Sequence, residues 1–172
     1  MLKIIRKSAE LNYSELMNVY FEDNLKNGRE KYPNDSVDSQ LRKAETDLFE
    51  YLHSVFFRQC NSLYAVWEEN GQYQSALRLE PYCDGYLLCA LETAPYARRK
   101  GYASLLVNAS RQYLSQFGNG IIYTHVSKSN IPSIKTHMKC GFRIIKDYAV
   151  YLDGSVLYNS YTFAYEYKKS EI

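Results

Sequence analysis

The chain has 172 residues, 46% of them hydrophobic and 23% charged, the size and balance of one globular domain able to bury about 70% of its unfolded surface. Lys and Arg number 21 against 19 Asp and Glu, so net charge makes no case for a nucleic-acid or membrane-surface role. Cys60, Cys83, Cys89 and Cys140 lie far apart without a CxxC pair, which argues against a zinc site or a redox motif and for reduced structural thiols.

Leu2 to Arg6 reads as a short opening strand that runs into a polar segment. It lacks the apolar core of a signal peptide, and no later run is long enough to span a bilayer, so the expectation is a cytoplasmic protein of one domain over 1–172. Ser14 to Lys26 has helical spacing at Leu16, Val19 and Tyr20, and Asn27 to Asn34, with Gly28 and Pro33, reads as a loop. From Asp38 to Phe57, Leu41, Ala44, Leu48, Leu52 and Val55 recur on one face of an amphipathic helix capped by Asp38.

Beyond Asn61 the period changes. Ser62 to Glu68, Gln72 to Tyr82 and Gly85 to Thr93 are strand-like, the first two joined by the hairpin turn Asn70-Gly71. A helix from Gly101 to Phe117, with Leu106, Ala109, Tyr113 and Phe117 on one face, stops at Gly118-Asn119-Gly120. Then come a strand (Ile121 to Val126), a short helix (Pro132 to Cys140) and two strands, Arg143 to Leu152 and Val156 to Tyr167, around Asp153-Gly154. The predicted order, βααβββαβαββ, is that of a mixed α/β protein with one sheet. Many of the 18 tyrosines fall on these strands, where their rings suit a half-buried pleated surface.

The stretch Leu91-Glu92-Thr93-Ala94-Pro95-Tyr96-Ala97-Arg98-Arg99-Lys100-Gly101-Tyr102-Ala103 leads from a strand through a basic turn into a helix N-terminus. Free N–H groups and the positive end of the helix dipole favour an anion there, and Gly101 lets the backbone come close to it. A solvated basic loop is the plainer account of Arg-Arg-Lys-Gly alone. In context the segment resembles the pyrophosphate motif of the GNAT superfamily of N-acyltransferases: Gln or Arg, two residues, Gly, one residue, then Gly or Ala, matched by Arg98, Gly101 and Ala103. Downstream, Asn130 to Phe142 resembles that family's second signature, in which an Asn opens a short helix ending in Gly-Phe.

The resemblance implies a mostly antiparallel, twisted central sheet flanked by helices. It also implies direct transfer of an acetyl group from acetyl-coenzyme A to an amine, without a metal or second cofactor. On it, the backbone from Leu91 to Thr93 would hydrogen-bond the pantetheine arm. Arg98, Arg99, Lys100, Gly101, Tyr102, Ala103 and Ser104 would hold the pyrophosphate, and Asn130 and Ser133 would contact the pantetheine or adenosine side.

An alkyl amine of pKa about 10.4 is neutral in about one molecule in a few thousand at pH 7, about 4.6 kcal/mol against attack, so a proton acceptor is needed. The leaving thiol, of pKa near 8.5, makes a general acid less important. His125 stands where some family members carry a glutamate base; the other reading is a packed strand histidine. His137 falls where the family usually has a tyrosine acid, and is either its replacement or a surface histidine. Glu92 faces away from Leu91 and Thr93 by strand alternation and is a third candidate, as base, as anchor for a cation, or as a neutraliser of nearby arginines. Cys140 with His137 lacks an orienting carboxylate, and a buried thiol is the better reading.

A rival from another class is an acyl-CoA-binding module without turnover, favoured by loss of the usual tyrosine; a third reading is an acyltransferase for longer acyl groups. The acceptor is a small-molecule amine, such as a polyamine, an amino acid or an antibiotic, or a peptide N-terminus or lysine. Glu22, Asp23, Glu30, Asp35 and Asp38 would attract a cation or simply form a solvated acidic face. The C-terminal tyrosine-rich strands offer a surface for a homodimer.

Overall fold

Alternating apolar residues on the strands bury both faces of a seven-stranded sheet, and two helical layers cover them. The computed structural model describes residues 1–151 and 153–170. The sheet is built from β1 (Leu2–Ile5), β2 (Leu63–Glu69), β3 (Gln72–Tyr82), β4 (Gly85–Thr93), β5 (Gly120–Ser127), β6 (Arg143–Lys146) and β9 (Ser160–Tyr167), while β7 (Ala149–Val150) and β8 (Val156–Leu157) form a small separate hairpin. The helices are α1 (Tyr13–Val19), α2 (Phe21–Lys31), α3 (Val37–Ser54), α4 (Tyr102–Ser115) and α5 (Ile131–Lys139).

The strand order is β1-β2-β3-β4-β5-β9-β6. Every pairing is antiparallel except β4 with β5. On one face Leu16, Val19, Leu52 and Phe56 of the α1–α3 region pack on Tyr64, Val66 and Ala76. On the other, Leu106, Val107 and Leu114 of α4 pack on Leu63, Ala65, Leu77 and Leu79. The mixed α/β class and the mostly antiparallel sheet agree with the sequence reading; the element order gains a helix and a small hairpin.

The extra helix arises because the predicted helix from Ser14 breaks at Tyr20 (φ −94°, ψ 15°) and resumes to Lys31, through the predicted loop. Gly28 is helical for a packing reason: a Cβ there would lie 2.4 Å from Gln40 O, so its absence lets α2 close on α3. The cap of α3 is Ser36, whose side chain accepts from Ser39 N at 3.4 Å, and Asp38 lies in the first turn instead. Val55, expected on the apolar face, is exposed.

On α4 the buried face runs through Leu106, Val107, Ser110 and Leu114, and Phe117 is exposed beyond the helix. The Asn70-Gly71 turn forms as predicted, both residues at positive φ (52° and 79°). The two long C-terminal strands are broken up: β6 and β9 pair in the main sheet, and the turn at Asp153-Gly154 serves the β7–β8 hairpin. The predicted strand end at Leu152 lies outside the described residues.

Candidate active site

The parallel pair β4–β5 holds only over Tyr86–Leu88 and Ile122–Thr124. Beyond it the strands part. On β4, Ala76↔Glu92 and Arg78↔Cys89 pairings to β3 leave one extra residue, a bulge around Ala90, which sits at φ 50°. Tyr20 Oη donates to the Ala90 carbonyl at 2.6 Å and accepts from Tyr64 Oη at 3.1 Å, so the break between α1 and α2 pins the bulge. The opening holds two cavities of about 370 and 400 Å3, and Leu91, Glu92, Asn130 and Ser133 line both.

The 400 Å3 side is the basic turn. Arg99 (φ 61°) and Gly101 (φ 86°) bend the chain into α4. Gly101 offers no side-chain cap, and the first intrahelical bond is donated by Leu105 to Gly101 O at 3.0 Å. The N–H groups of Tyr102, Ala103 and Ser104 therefore have no intrahelical acceptor, at a place where Ala103 and Ser104 line the cavity. Arg98 Nη1 lies 2.6 Å from Glu22 Oε2, and Arg98 Nε donates to Thr93 O at 3.4 Å. Arg99 and Lys100 are exposed, and Tyr102 turns its hydroxyl to Glu69 at 2.7 Å. Across the opening, Asn130 Oδ1 caps α5 by accepting from Ser133 N at 3.1 Å.

Glu92 stands where the two cavities meet. Its pairing with Ala76 puts it on the α1–α3 face, and Leu91 packs with the opposite core, as strand alternation requires. Burial, then the nearby Asp23 carboxylate, push its pKa up to about 7 against the pull of Arg98.

His125 borders the 370 Å3 cavity, and its neutral ring has one N–H to share between the contacts of its two nitrogens. Nε2 lies 3.1 Å from Val150 O, and Nδ1 lies 3.2 Å from Thr162 Oγ1, whose own proton goes to Tyr148 O at 2.7 Å. Burial lowers its pKa despite the Val150 bond.

His137 is no surface histidine: it is 2% exposed, edge-on to Phe142. Its Nδ1 lies 2.9 Å from Ser133 O, a contact only an N–H can satisfy, and Nε2 is buried without a partner. Burial holds this ring below the usual histidine range, so it is neutral with its lone pair on Nε2. Cys140 is a buried thiol whose Sγ approaches Ser104 O at 3.9 Å.

Sequence reasoning missed Tyr20 and Arg78 as site residues, and named Asp23 only within an acidic group that would attract a cation or form a solvated face. Tyr20 and Asp23 come from a helix break and a helix N-terminus that meet β4 only in three dimensions. Arg78 borders the 370 Å3 cavity and a larger one of about 760 Å3 between α2 and α3. Its signal was present but faint: a cation at an inward position of a strand flanked by Ala76, Leu77 and Leu79. Among the described residues, no cluster of three His, Cys, Asp or Glu could hold a metal ion, and no helix is long and apolar enough to cross a membrane.

Known proteins share this architecture. The ribosomal-protein-S18-alanine N-acetyltransferase of Escherichia coli superposes with a TM-score of 0.59 at 16% identity, covering 99% of this chain and 97% of that one. The PaiA N-acetyltransferase of Thermoplasma acidophilum, in complex with coenzyme A, gives 0.60 at 14% identity, covering 97% and 99%. An aminoglycoside 6'-acetyltransferase type Ii gives 0.61 at 14%, covering 96% of each. At these identities the likeness is one of fold. No curated protein sequence matches the chain.

A sheet that splits at a bulged strand opens onto an uncapped helix N-terminus, a cleft suited to an anionic ligand. The model of the acetyltransferase (GNAT) family matches residues 16–142, and the chain belongs to that family.

Proposed function

We propose that this chain transfers the acetyl group of acetyl-coenzyme A directly to a primary amine, with Glu92 as the proton acceptor. The observation that carries the reading is the position of Glu92, on the wall common to the two cavities. The pyrophosphate would lie against the free N–H groups of Tyr102, Ala103 and Ser104, with Arg98 leaving Glu22 to meet it; that exposed ion pair is worth at most about 1 kcal/mol and is easily exchanged. Past Leu88 the backbone edge of β4 no longer pairs with β5, so Leu91 to Thr93 are available to hydrogen-bond the amides of a pantetheine arm threaded between the strands.

The acceptor would then approach from the α1–α3 face. A carboxylate of pKa about 7 is half ionised at neutral pH, a far better match to an ammonium than one near 4. It takes the proton, the amine nitrogen bonds to the acyl carbon, and the carbon–sulfur bond breaks to release the thiolate. His137 has no proton on Nε2 to give, so its part is to accept a hydrogen bond at the cleft floor. His125 ties β5 to β7 through the Val150 carbonyl and to β9 through the Thr162 hydroxyl rather than receiving the amine's proton.

Release of free thiol from acetyl-CoA across a panel of primary amines tests the reading. Amine-dependent release that falls about a hundredfold or more in Glu92→Gln supports it. Background release with every amine, by a protein that still binds acetyl-CoA, overturns it in favour of a binding module.

A further inference from the structure

One cation on the acceptor side has no part in acetyl transfer. Arg78 lies on β3 two residues beyond Ala76, the register partner of Glu92, and so shares the α1–α3 face with Glu92. Only 18% of its side chain is exposed. The guanidinium lies over the rings of Tyr51 and Phe56, 4.9 and 5.8 Å from their centroids, which fixes its plane.

Among the described residues it has one ion-pair partner, the Glu80 carboxylate, whose Oε1 lies 3.5 Å from Nε outside hydrogen-bond geometry. Nε is buried without a hydrogen-bond partner. The Glu80 carboxylate oxygen 3.5 Å away also stands 3.5 Å from Tyr51 Oη. A guanidinium held this deep normally has its donors matched by acceptors. With Nε turned into the protein, the paired Nη groups are the edge left to meet a ligand, and Arg78 borders both the 370 Å3 cavity that holds Glu92 and the 760 Å3 cavity between α2 and α3.

The signs of charge select the ligand. Glu92 and Asp23 make one end of the space attractive to an ammonium. Arg78, displaced by two residues or about 7 Å along the strands, makes the other end attractive to an anion. A phosphate dianion would meet Glu80 beside Arg78 and the carboxylates of Glu92 and Asp23 on the same face. A plain diamine would set its second ammonium against Arg78. A planar monoanion takes two parallel N–H groups of a guanidinium and suits the site.

The geometry points to an acceptor that is an amine carrying a carboxylate, an amino acid or short peptide, gripped through that carboxylate by Arg78 while its amine faces Glu92. This rests on the acetyl-transfer reading above and narrows its acceptor.

The test is thiol release from acetyl-CoA with matched pairs: lysine and cadaverine, 4-aminobutyrate and butylamine, phenylalanine and phenethylamine, and a tripeptide with its C-terminal amide. At least one carboxylate-bearing member should exceed its partner in kcat/KM by roughly tenfold or more. Arg78→Met, which keeps the length and apolar packing, should bring that ratio close to one. Arg78→Lys, which keeps the charge without the fork, should fall between and covers the case in which the methionine variant does not fold. Equal or better turnover of the partners that lack the carboxylate, or a preference that survives in the folded Arg78 variants, overturns the assignment and leaves acetyl transfer standing. No turnover of any amine overturns both.

Discussion

The two halves of the cleft are built in opposite ways. The proposed donor half, from Leu91 through Gly101 into α4 with the facing N-terminus of α5, is made of two short continuous segments that offer backbone groups to the cavity. The proposed acceptor half is made of side chains from distant places: Tyr20 and Asp23 from the start of α2, Arg78 and Glu80 from β3, and Glu92 from β4. A backbone site tolerates change in most of its side chains, whereas a side-chain site is set by each residue in it.

Variants that strike one half and spare the other sharpen the contrast. The largest effect belongs to Glu92→Gln, which should lower kcat/KM by about a hundred- to a thousandfold while leaving the acetyl-CoA-induced rise in melting temperature intact, read by steady-state kinetics beside thermal unfolding. On the donor side, Gly101→Val should weaken acetyl-CoA binding about tenfold. No atom lies within 4 Å of the added Cβ, so the whole effect is conformational, a β-branched residue at φ 86° costing about 1–2 kcal/mol; calorimetry of acetyl-CoA binding reads it. Arg98→Ala should weaken the same binding roughly fivefold, less than a free arginine would, because Glu22 already competes for its charge.

A smaller effect separates the halves by pH. The folded pKa of Glu92, about 7, lies above its unfolded value. Its contribution to stability is therefore complete below the unfolded pKa and lost as pH rises through about 7. The difference in melting temperature between wild type and Glu92→Gln should move against the wild type between pH 5 and pH 8. Asp35, Asp47 and Asp153, whose pKa values are lowered by Lys43, by Lys31 and by Ser155 respectively, titrate below that range and add no slope to it. A difference constant across that range would remove the buried-carboxylate description. Ser36→Ala, which touches neither half, should cost about 1 kcal/mol through the lost α3 cap and leave kcat/KM unchanged.

The same division explains what could be read from the sequence. The donor turn was legible because strand, glycine and helix start follow one another within a dozen residues, and the meander because Asn70-Gly71 marks its turn. Of the acceptor half only Glu92, and Asp23 within an acidic group, were named, because its assembly depends on a bulge at Ala90 that no residue type announces, and on the break at Tyr20. Gly28 read as a loop because glycine more often ends a helix than lets one approach a neighbour. Ser36 and Asp38 are both capping residues two apart, and sequence alone does not choose between them. A surface position was one of two readings of His137 because α5 is short, yet α5 packs with its histidine inward against Phe142.

The most direct test of the account is thermal unfolding with and without acetyl-CoA at about a hundred times a micromolar dissociation constant, for wild type and Gly101→Val in parallel. Binding to the cleft stabilises the wild type by about 2.7 kcal/mol, a rise of roughly 5 to 11 °C, and the rise shrinks in the variant. An unchanged midpoint for folded wild-type protein at that concentration would contradict the account.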